Sequence, residues 1–270
     1  HVIIRNSTER DRLPNGLVTN NIYIYDGSTE SVVAAVNSSR PDTIFHLASL
    51  YSRETSVENV EPMVESNLLI AIQVMEALRY AKIPASIVNF GTYTQYYQTQ
   101  GKFQSLNVYA ALKNAFKDIL GLYAEDLGLH HISLILYDTY GPGDWRNKLL
   151  PTIKDAINSG STLRLSDPNF IIDLTHINDV VSAVICAQEM LPSSSTSSQS
   201  NQIYSISGDR LSLSDLVNRV QTVIGYNLSV KWKAYKMPKR HIIEPWLGAR
   251  PKNWKPIINL DEGLISYLLN

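Results

Sequence analysis

The stretch TIFHLAS, residues 43–49, is a short apolar run that ends in small and polar residues. A run of this length, bounded by turn-forming residues, fits a strand buried on both faces. Downstream, residues 58–81 place Met63, Leu68, Ile72, Met75 and Leu78 at a recurring three-to-four spacing, which predicts an amphipathic helix. A second buried strand follows at SIVNFGT (86–92). Strand, helix, strand at this rhythm predicts a parallel pair joined by a right-handed crossover. Outward from this unit the pattern repeats. HVIIR (1–5) and NIYIYD (21–26) precede it, HISLILYD (131–138) follows, and helices are predicted over 28–38 and 107–127. The fold class is therefore α/β, a doubly wound parallel sheet of the Rossmann type. After about residue 142 the elements shorten into a smaller C-terminal lobe. The expected division is a core over 1–142 and a lobe over 143–270, with 171–186 returning to the core. LPSSSTSSQSN (191–201) reads as a surface connector.

A chain of 270 residues can bury a large core, and 44% hydrophobic with 18% charged residues is a globular composition. A net charge of −1 gives no reason to expect nucleic acid or an anionic membrane as partner. The single cysteine, Cys186, rules out an intrachain disulfide framework, and its apolar helical setting predicts a buried small residue. The six histidines show no ligand spacing, so no metal is expected. Neither a signal peptide nor a membrane-spanning run is evident, which makes a cytoplasmic location the expectation.

In a doubly wound sheet, ligands bind at the carboxyl ends of the strands. Those ends are Arg5-Asn6-Ser7, Asp26-Gly27, His46-Leu47-Ala48-Ser49, Gly91-Thr92-Tyr93 and Asp138-Thr139-Tyr140-Gly141. All are polar, small or chemically useful.

LNVYAALKNAFKDIL (106–120) places Tyr109 four residues before Lys113, on one face of a predicted helix. An ammonium beside a phenol favours the phenolate, so Lys113 is expected to lower the Tyr109 pKa and fit the phenol for acid/base work. Chance also has to be weighed, because about one Tyr-x-x-x-Lys is expected at random in a chain this rich in tyrosine. A second copy, Tyr235 to Lys239, contains Pro238, has no strand in front and reads as coincidence. Around the first copy, Thr92 ends a strand upstream, HLAS ends the strand before that, and YGPGD (140–144) makes a rigid turn after the helix.

Taken in order, HLAS, FGT, YAALK and LYDTYGPGD resemble the extended short-chain dehydrogenase/reductase family, within it the NAD(P)-dependent sugar-nucleotide epimerases, dehydratases and reductases. IIDLTHINDVVSA (171–183) and NWKPIINLDEGL (253–264) extend the resemblance over nearly the whole chain. FGTYTQYY and LYDTYGPGD look closest to enzymes of deoxysugar and lipopolysaccharide-sugar pathways, including CDP-linked dideoxyhexose synthases. The resemblance implies roles by position. Tyr109 exchanges the substrate proton, Lys113 holds the nicotinamide ribose, and Thr92, with Thr94 nearby, orients the reacting oxygen. Asp26 and Gly27 meet the adenine, Leu47, Ala48 and Ser49 line the cofactor channel, and Tyr140, Gly141 and Pro142 close over the nicotinamide. Asp173, Asn178 and Asp179 lie by the sugar nucleotide, in a substrate-binding lobe. A homodimer through helices 58–81 and 107–127 is implied as well.

Departures from the family pattern matter as much. No Gly-x-x-Gly-x-x-Gly loop is present, and HVIIR looks like the family's second strand. One strand-loop-helix unit, roughly 25 to 30 residues including the central strand, is expected to be missing from the sequence as read. Arg5, followed by Arg10 and Arg12, stands where an acid would bind the ribose hydroxyls of NAD, which favours NADP with NAD as the alternative. The positions that carry phosphate-binding arginines in relatives hold Ile135 and Ile172, leaving Arg146, Lys148 or Arg164 as substitutes. No carboxylate follows Thr92, which disfavours dehydration and leaves 4-keto reduction ahead of epimerisation. The competing reading is a non-catalytic binding or regulatory protein on the same fold.

Overall fold

A computed structural model describes residues 1–9, 13, 15–97, 104–144, 146, 148–192 and 202–269. Arg10, Arg12 and most of the serine-rich stretch lie outside the described residues. The chain forms two compact units, one of His1–Phe90, Asn107–Ser133 and Leu191–Gln202, the other of Gly91–Leu106, Leu134–Met190 and Ile203–Asn270.

The first unit opens with β1 (Val2–Arg5) and β2 (Ile22–Tyr25), paired in parallel from Val2↔Ile22 to Arg5↔Tyr25. Helix α1 (Thr29–Ser39) begins at Ser28, whose hydroxyl accepts from the Ser31 amide at 3.1 Å. β3 (Thr43–His46) pairs in parallel with β4 (Ser86–Thr92), from Thr43↔Ser86 to His46↔Asn89. Between them the predicted long helix is α2 (Val60–Val64), a π turn over Glu65–Leu69, and α3 (Ile70–Ala81). Helix α4 (Val108–Leu127) then leads to β5 (His131–Leu136). Strands β4 and β5 end in the second unit. Val32, Val36, Met75, Leu78, Ile87, Phe116 and Leu120 are buried in one core, which joins α1, α3 and α4 to the sheet. Each large side chain so buried contributes ~1.5–3 kcal/mol.

Among the described residues, β1 and β2 form a sheet of their own, separate from the four-stranded order β3-β4-β5-β9, whose last strand is Gln202–Ile206. The outermost β1 and β3 each keep an unpaired edge, and Ile3, Ile24 and Phe45 are 37, 38 and 42% exposed. Strands of a doubly wound sheet are normally covered on both faces.

The second unit holds β6 (Asp138–Tyr140), α5 (Leu149–Ser159), β7 (Leu163–Arg164), β8 (Ile171–His176), α6 (Ile177–Met190) and β9. It continues through β10 (Asp209–Ser212), α7 (Leu213–Ile224), β11 (Val230–Lys231) and α8 (Leu260–Leu268). β8 lies between antiparallel β10 and parallel β6, and β7 pairs with β11. The predicted strand 131–138 therefore stops at Leu136, and Asp138–Tyr140 pairs with β8 instead of prolonging β5. Tyr140, Ile153, Leu174, Leu216, Val220 and Leu264 share the core. Gly263 makes room there, since a Cβ would stand 2.2 Å from the Tyr140 hydroxyl.

Candidate active site

In the first unit the site begins with an N-cap. The Asn107 side chain accepts from the Ala110 amide at 3.0 Å, which starts α4 just ahead of Tyr109. The helical repeat then puts Lys113 on the face of Tyr109, its ammonium 5.9 Å from the phenol ring centroid. Lys113 is 3% exposed, and burial alone lowers its pKa from 10.5 to about 8. The ammonium therefore survives at neutral pH, at a desolvation cost. The ring of Tyr51 meets Tyr109 edge-on at 5.1 Å. Burial is also the largest influence on Tyr109 and raises its pKa, against a lowering contribution from the Ser49 hydroxyl. The expected depression by Lys113 is thus corrected. In the folded chain the phenol is held protonated because desolvation outweighs the favourable contacts.

The strand ends are held by two buried amides that sequence reasoning missed. Asn67, on the π turn, donates to the carbonyls of Leu50 at 2.8 Å and Met63 at 2.9 Å. Its Oδ1 accepts from the Leu50 amide at 3.3 Å and the Ser49 hydroxyl at 3.0 Å. The Ser49 oxygen is also 3.3 Å from the Tyr109 hydroxyl, so Asn67 sets the loop that meets the phenol. Gln73 does the same for the β2 end. It donates to the Gly27 carbonyl at 3.0 Å and accepts from the Tyr25 hydroxyl at 2.9 Å. Gly27 takes φ +96°, which explains the glycine. Asp26 is exposed, and hydrogen bonds from the Ser28 hydroxyl (2.6 Å) and amide (2.9 Å) lower its pKa. Arg5 is exposed at the end of β1, while Leu47 is 68% exposed beside half-buried Ala48. His46 is buried against Phe116, and desolvation drops its pKa to about 3, so the imidazole stays neutral.

In the second unit Thr92 and Thr94 form a hydroxyl pair 3.1 Å apart. The Gln95 side chain folds back to accept from the Thr92 amide at 2.7 Å. Gly91 permits this, because a Cβ would meet Gln95 Oε1 at 2.5 Å and Ile135 Cδ1 at 2.6 Å. Tyr140 points into the core, 3% exposed, and a Cβ on Gly141 would strike Ile177 at 2.4 Å; Pro142 is exposed. Asp173 is fully buried and accepts from the Ser207 hydroxyl at 2.6 Å and the Gly208 amide at 2.9 Å, with Arg210 at 3.4 Å. Burial raises its pKa despite these bonds. Asn178 is exposed, while neighbouring Asp179 accepts from the amides of Ile257 (2.9 Å) and Ile258 (3.2 Å). Asp173 and Asp179 thus tie segments of this unit together.

The substitute phosphate binders are not equivalent. Arg146 makes a two-pronged pair with Asp144, at 2.6 and 2.8 Å, and donates to the Thr139 carbonyl at 2.8 Å. Arg164 lies over the Tyr235 ring at 5.6 Å. Lys148 is partly desolvated, which lowers its pKa, with the half-buried Asp138 as its main opposing charge. Residues 235–239 are not helical, as the proline predicts. Cys186 is only half-buried, correcting the expected full burial: its thiol is 3.5 Å from the Lys252 carbonyl. Among the described residues no helix is long and apolar enough to cross a membrane.

Residues 2–206 match the sequence model of the NAD dependent epimerase/dehydratase family. Two CDP-abequose synthases are similar over part of the chain. The protein of Yersinia pseudotuberculosis is 26% identical over 156 residues, 58% of this chain and 54% of that one. That of Salmonella typhimurium is 27% identical over 149 residues, 54% and 48% of the two chains. The chain thus spans about half the length of the curated relatives it matches. Among solved structures, Thermus thermophilus UDP-glucose 4-epimerase in complex with NAD aligns with a TM-score of 0.77 at 20% identity, covering 99% of this chain and 89% of its own. Methanobrevibacter ruminantium UDP-N-acetylglucosamine 4-epimerase, in complex with UDP-N-acetylmuramic acid, aligns at 0.79 and 18% identity with the same coverage. These likenesses establish the fold.

Proposed function

The chain belongs to the NAD dependent epimerase/dehydratase family, and on that premise we propose that it is an NAD(P)-dependent enzyme acting on a nucleotide-linked deoxysugar, with 4-keto reduction favoured over epimerisation. The observation that carries this reading is the Tyr109–Lys113 pair, a half-buried phenol one helical turn before a buried lysine. A lysine 3% exposed, whose pKa burial alone has lowered to about 8, costs the fold stability. Such a cost is retained where a cation is needed for chemistry.

When bound, NADPH would supply a hydride to the carbonyl carbon. Tyr109, kept protonated by burial, gives its hydroxyl proton to the carbonyl oxygen, and a secondary alcohol results. Lys113 stabilises the phenolate left behind and holds the ribose hydroxyls. Thr92, with Thr94 behind it, orients the substrate oxygen. Arg5 at the end of β1 favours NADP through the extra phosphate, with NAD as the alternative. Asp26 and Gly27 would meet the adenine, and Leu47 to Ser49 the rest of the cofactor. The similarity to CDP-abequose synthases supports a CDP-linked deoxysugar as substrate. A homodimer through helices 58–81 and 107–127 accompanies this reading, supported by Tyr80 and Leu122 at 74 and 65% exposure, although Phe116 and Leu120 pack within the chain's own core.

The test is NADPH binding by fluorescence and turnover of a 4-keto sugar nucleotide by the full-length protein, with Tyr109→Phe and Lys113→Ala beside wild type. Wild type should bind and turn over, Tyr109→Phe should bind without turnover, and Lys113→Ala should lose affinity as well. Absence of binding and turnover in wild type refutes the enzyme and leaves a binding protein. With deuterated NADPH, net label in the product means reduction, and its absence means epimerisation with internal recycling.

A further inference from the structure

Segment Arg240–Ala249 has no regular secondary structure, yet the second unit holds it at many points. The Ile243 carbonyl accepts from the Ile171 amide at 2.9 Å, and the Ala249 carbonyl from the Ser205 amide at 2.7 Å. Arg210 donates to Glu244 at 3.1 Å and to the Pro245 carbonyl at 2.8 Å. The Tyr137 hydroxyl, 2.8 Å from the Ser205 hydroxyl, donates to the Trp246 carbonyl. Gly248 leaves space for the Trp246 ring, because a Cβ there would sit 2.1 Å from it.

What this strap presents is an aromatic face to the turn after β4. The Trp246 ring stacks on Tyr96 at 4.1 Å and 18°, and the Arg240 guanidinium covers Tyr97 at 4.8 Å. Tyr96 is 5% exposed and ends the 3-10 turn Tyr93–Tyr96. That turn is capped by Thr92 at its start and contains Gln95, whose side chain holds the Thr92 amide. Tyr93 stacks on Tyr137 at 5.5 Å, nearly parallel. A clamp on Tyr96 therefore limits how far the turn can unwind, and with it where the two hydroxyls point.

We propose that Trp246 is a positioning residue for the Thr92–Thr94 hydroxyl pair, acting through its stack on Tyr96. The inference rests on the proposed reductase chemistry for its kinetic consequence but not for its structural one. A hydroxyl displaced by an ångström or so loses the geometry of a reacting complex, which costs up to ~100-fold in rate.

The experiment uses the full-length protein with NADPH and a 4-keto sugar nucleotide. Trp246→Leu should lower kcat by at least ~10-fold while KM for NADPH changes by less than ~2-fold, and Trp246→Phe, which keeps a ring, should recover most of the rate. In a Thr92→Ala background, Trp246→Leu should have little further effect, because the residues act as one unit. Equal losses in both backgrounds overturn the proposal, as does an unchanged kcat. If wild type has no turnover, the reductase reading fails by itself and amide exchange decides the strap. Trp246→Leu should then speed exchange at Thr92, Thr94 and Leu106 by ~10-fold or more, leaving Leu216 and Val220 protected. Unchanged exchange at those three amides overturns it. Should Trp246→Leu not fold, Tyr96→Leu removes the same stack and is read against the same outcomes.

Discussion

Lys113→Met should make the unliganded protein more stable and catalytically dead. Methionine retains most of the side-chain length inside the same pocket while removing the charge. The lysine pKa falls from 10.5 to about 8 on folding. At ~1.4 kcal/mol for each tenfold change in proton affinity, that fall corresponds to ~3 kcal/mol of penalty at neutral pH. The direction follows from proton counting. Between pH 8 and 10.5 the unfolded lysine keeps a proton that the folded one has released, so the wild-type fold gains stability as pH rises through this window. Below pH 8 the full penalty applies. Urea unfolding of wild type and variant at pH 7 and pH 10 isolates this contribution, because the other titrating groups cancel in the difference. The variant should lead by ~1–3 kcal/mol at pH 7, allowing for denatured-state compaction, and by much less at pH 10. A variant no more stable than wild type at pH 7, or an advantage independent of pH, would refute the claim that the fold carries a desolvated ammonium.

Gly91→Ala puts a methyl group 2.5 Å from Gln95 Oε1 and 2.6 Å from Ile135 Cδ1, and should cost ~1–3 kcal/mol of unfolding free energy by calorimetry. Asn67→Ala strips four hydrogen bonds from the loop beside Tyr109. Amide exchange at Leu50 should rise and stability fall by ~1–3 kcal/mol, whereas an unperturbed Leu50 amide would show that the loop holds itself. Asp179→Asn faces the Ile257 and Ile258 amides with one acceptor in place of two, so segment 252–258 should become protease-sensitive at a cost of ~1–3 kcal/mol.

How much of this was readable in the primary structure depends on the range of the interaction concerned. Helix α4 and its Tyr109–Lys113 face were legible because a cap and a four-residue spacing are local properties. So were β4 and the glycine-threonine end that it presents. Asn67 and Gln73 looked like ordinary polar positions on a helix. Their partners stand 17 and 46 residues away, and periodicity carries no information over that distance. Asp173 and Arg146 were readable as charges but not as groups already engaged. The strap was invisible because Trp246 sits in no periodic element.

Apolar spacing and turn residues by themselves determined the alternation of strands and helices, and with it the parallel α/β class. These depend on neighbours within about two helical turns. Tertiary structure alone decided which polar groups are desolvated, and that reversed the expected shift on Tyr109. A pKa is set by the dielectric and partners around a group, and these come from distant segments folding onto it.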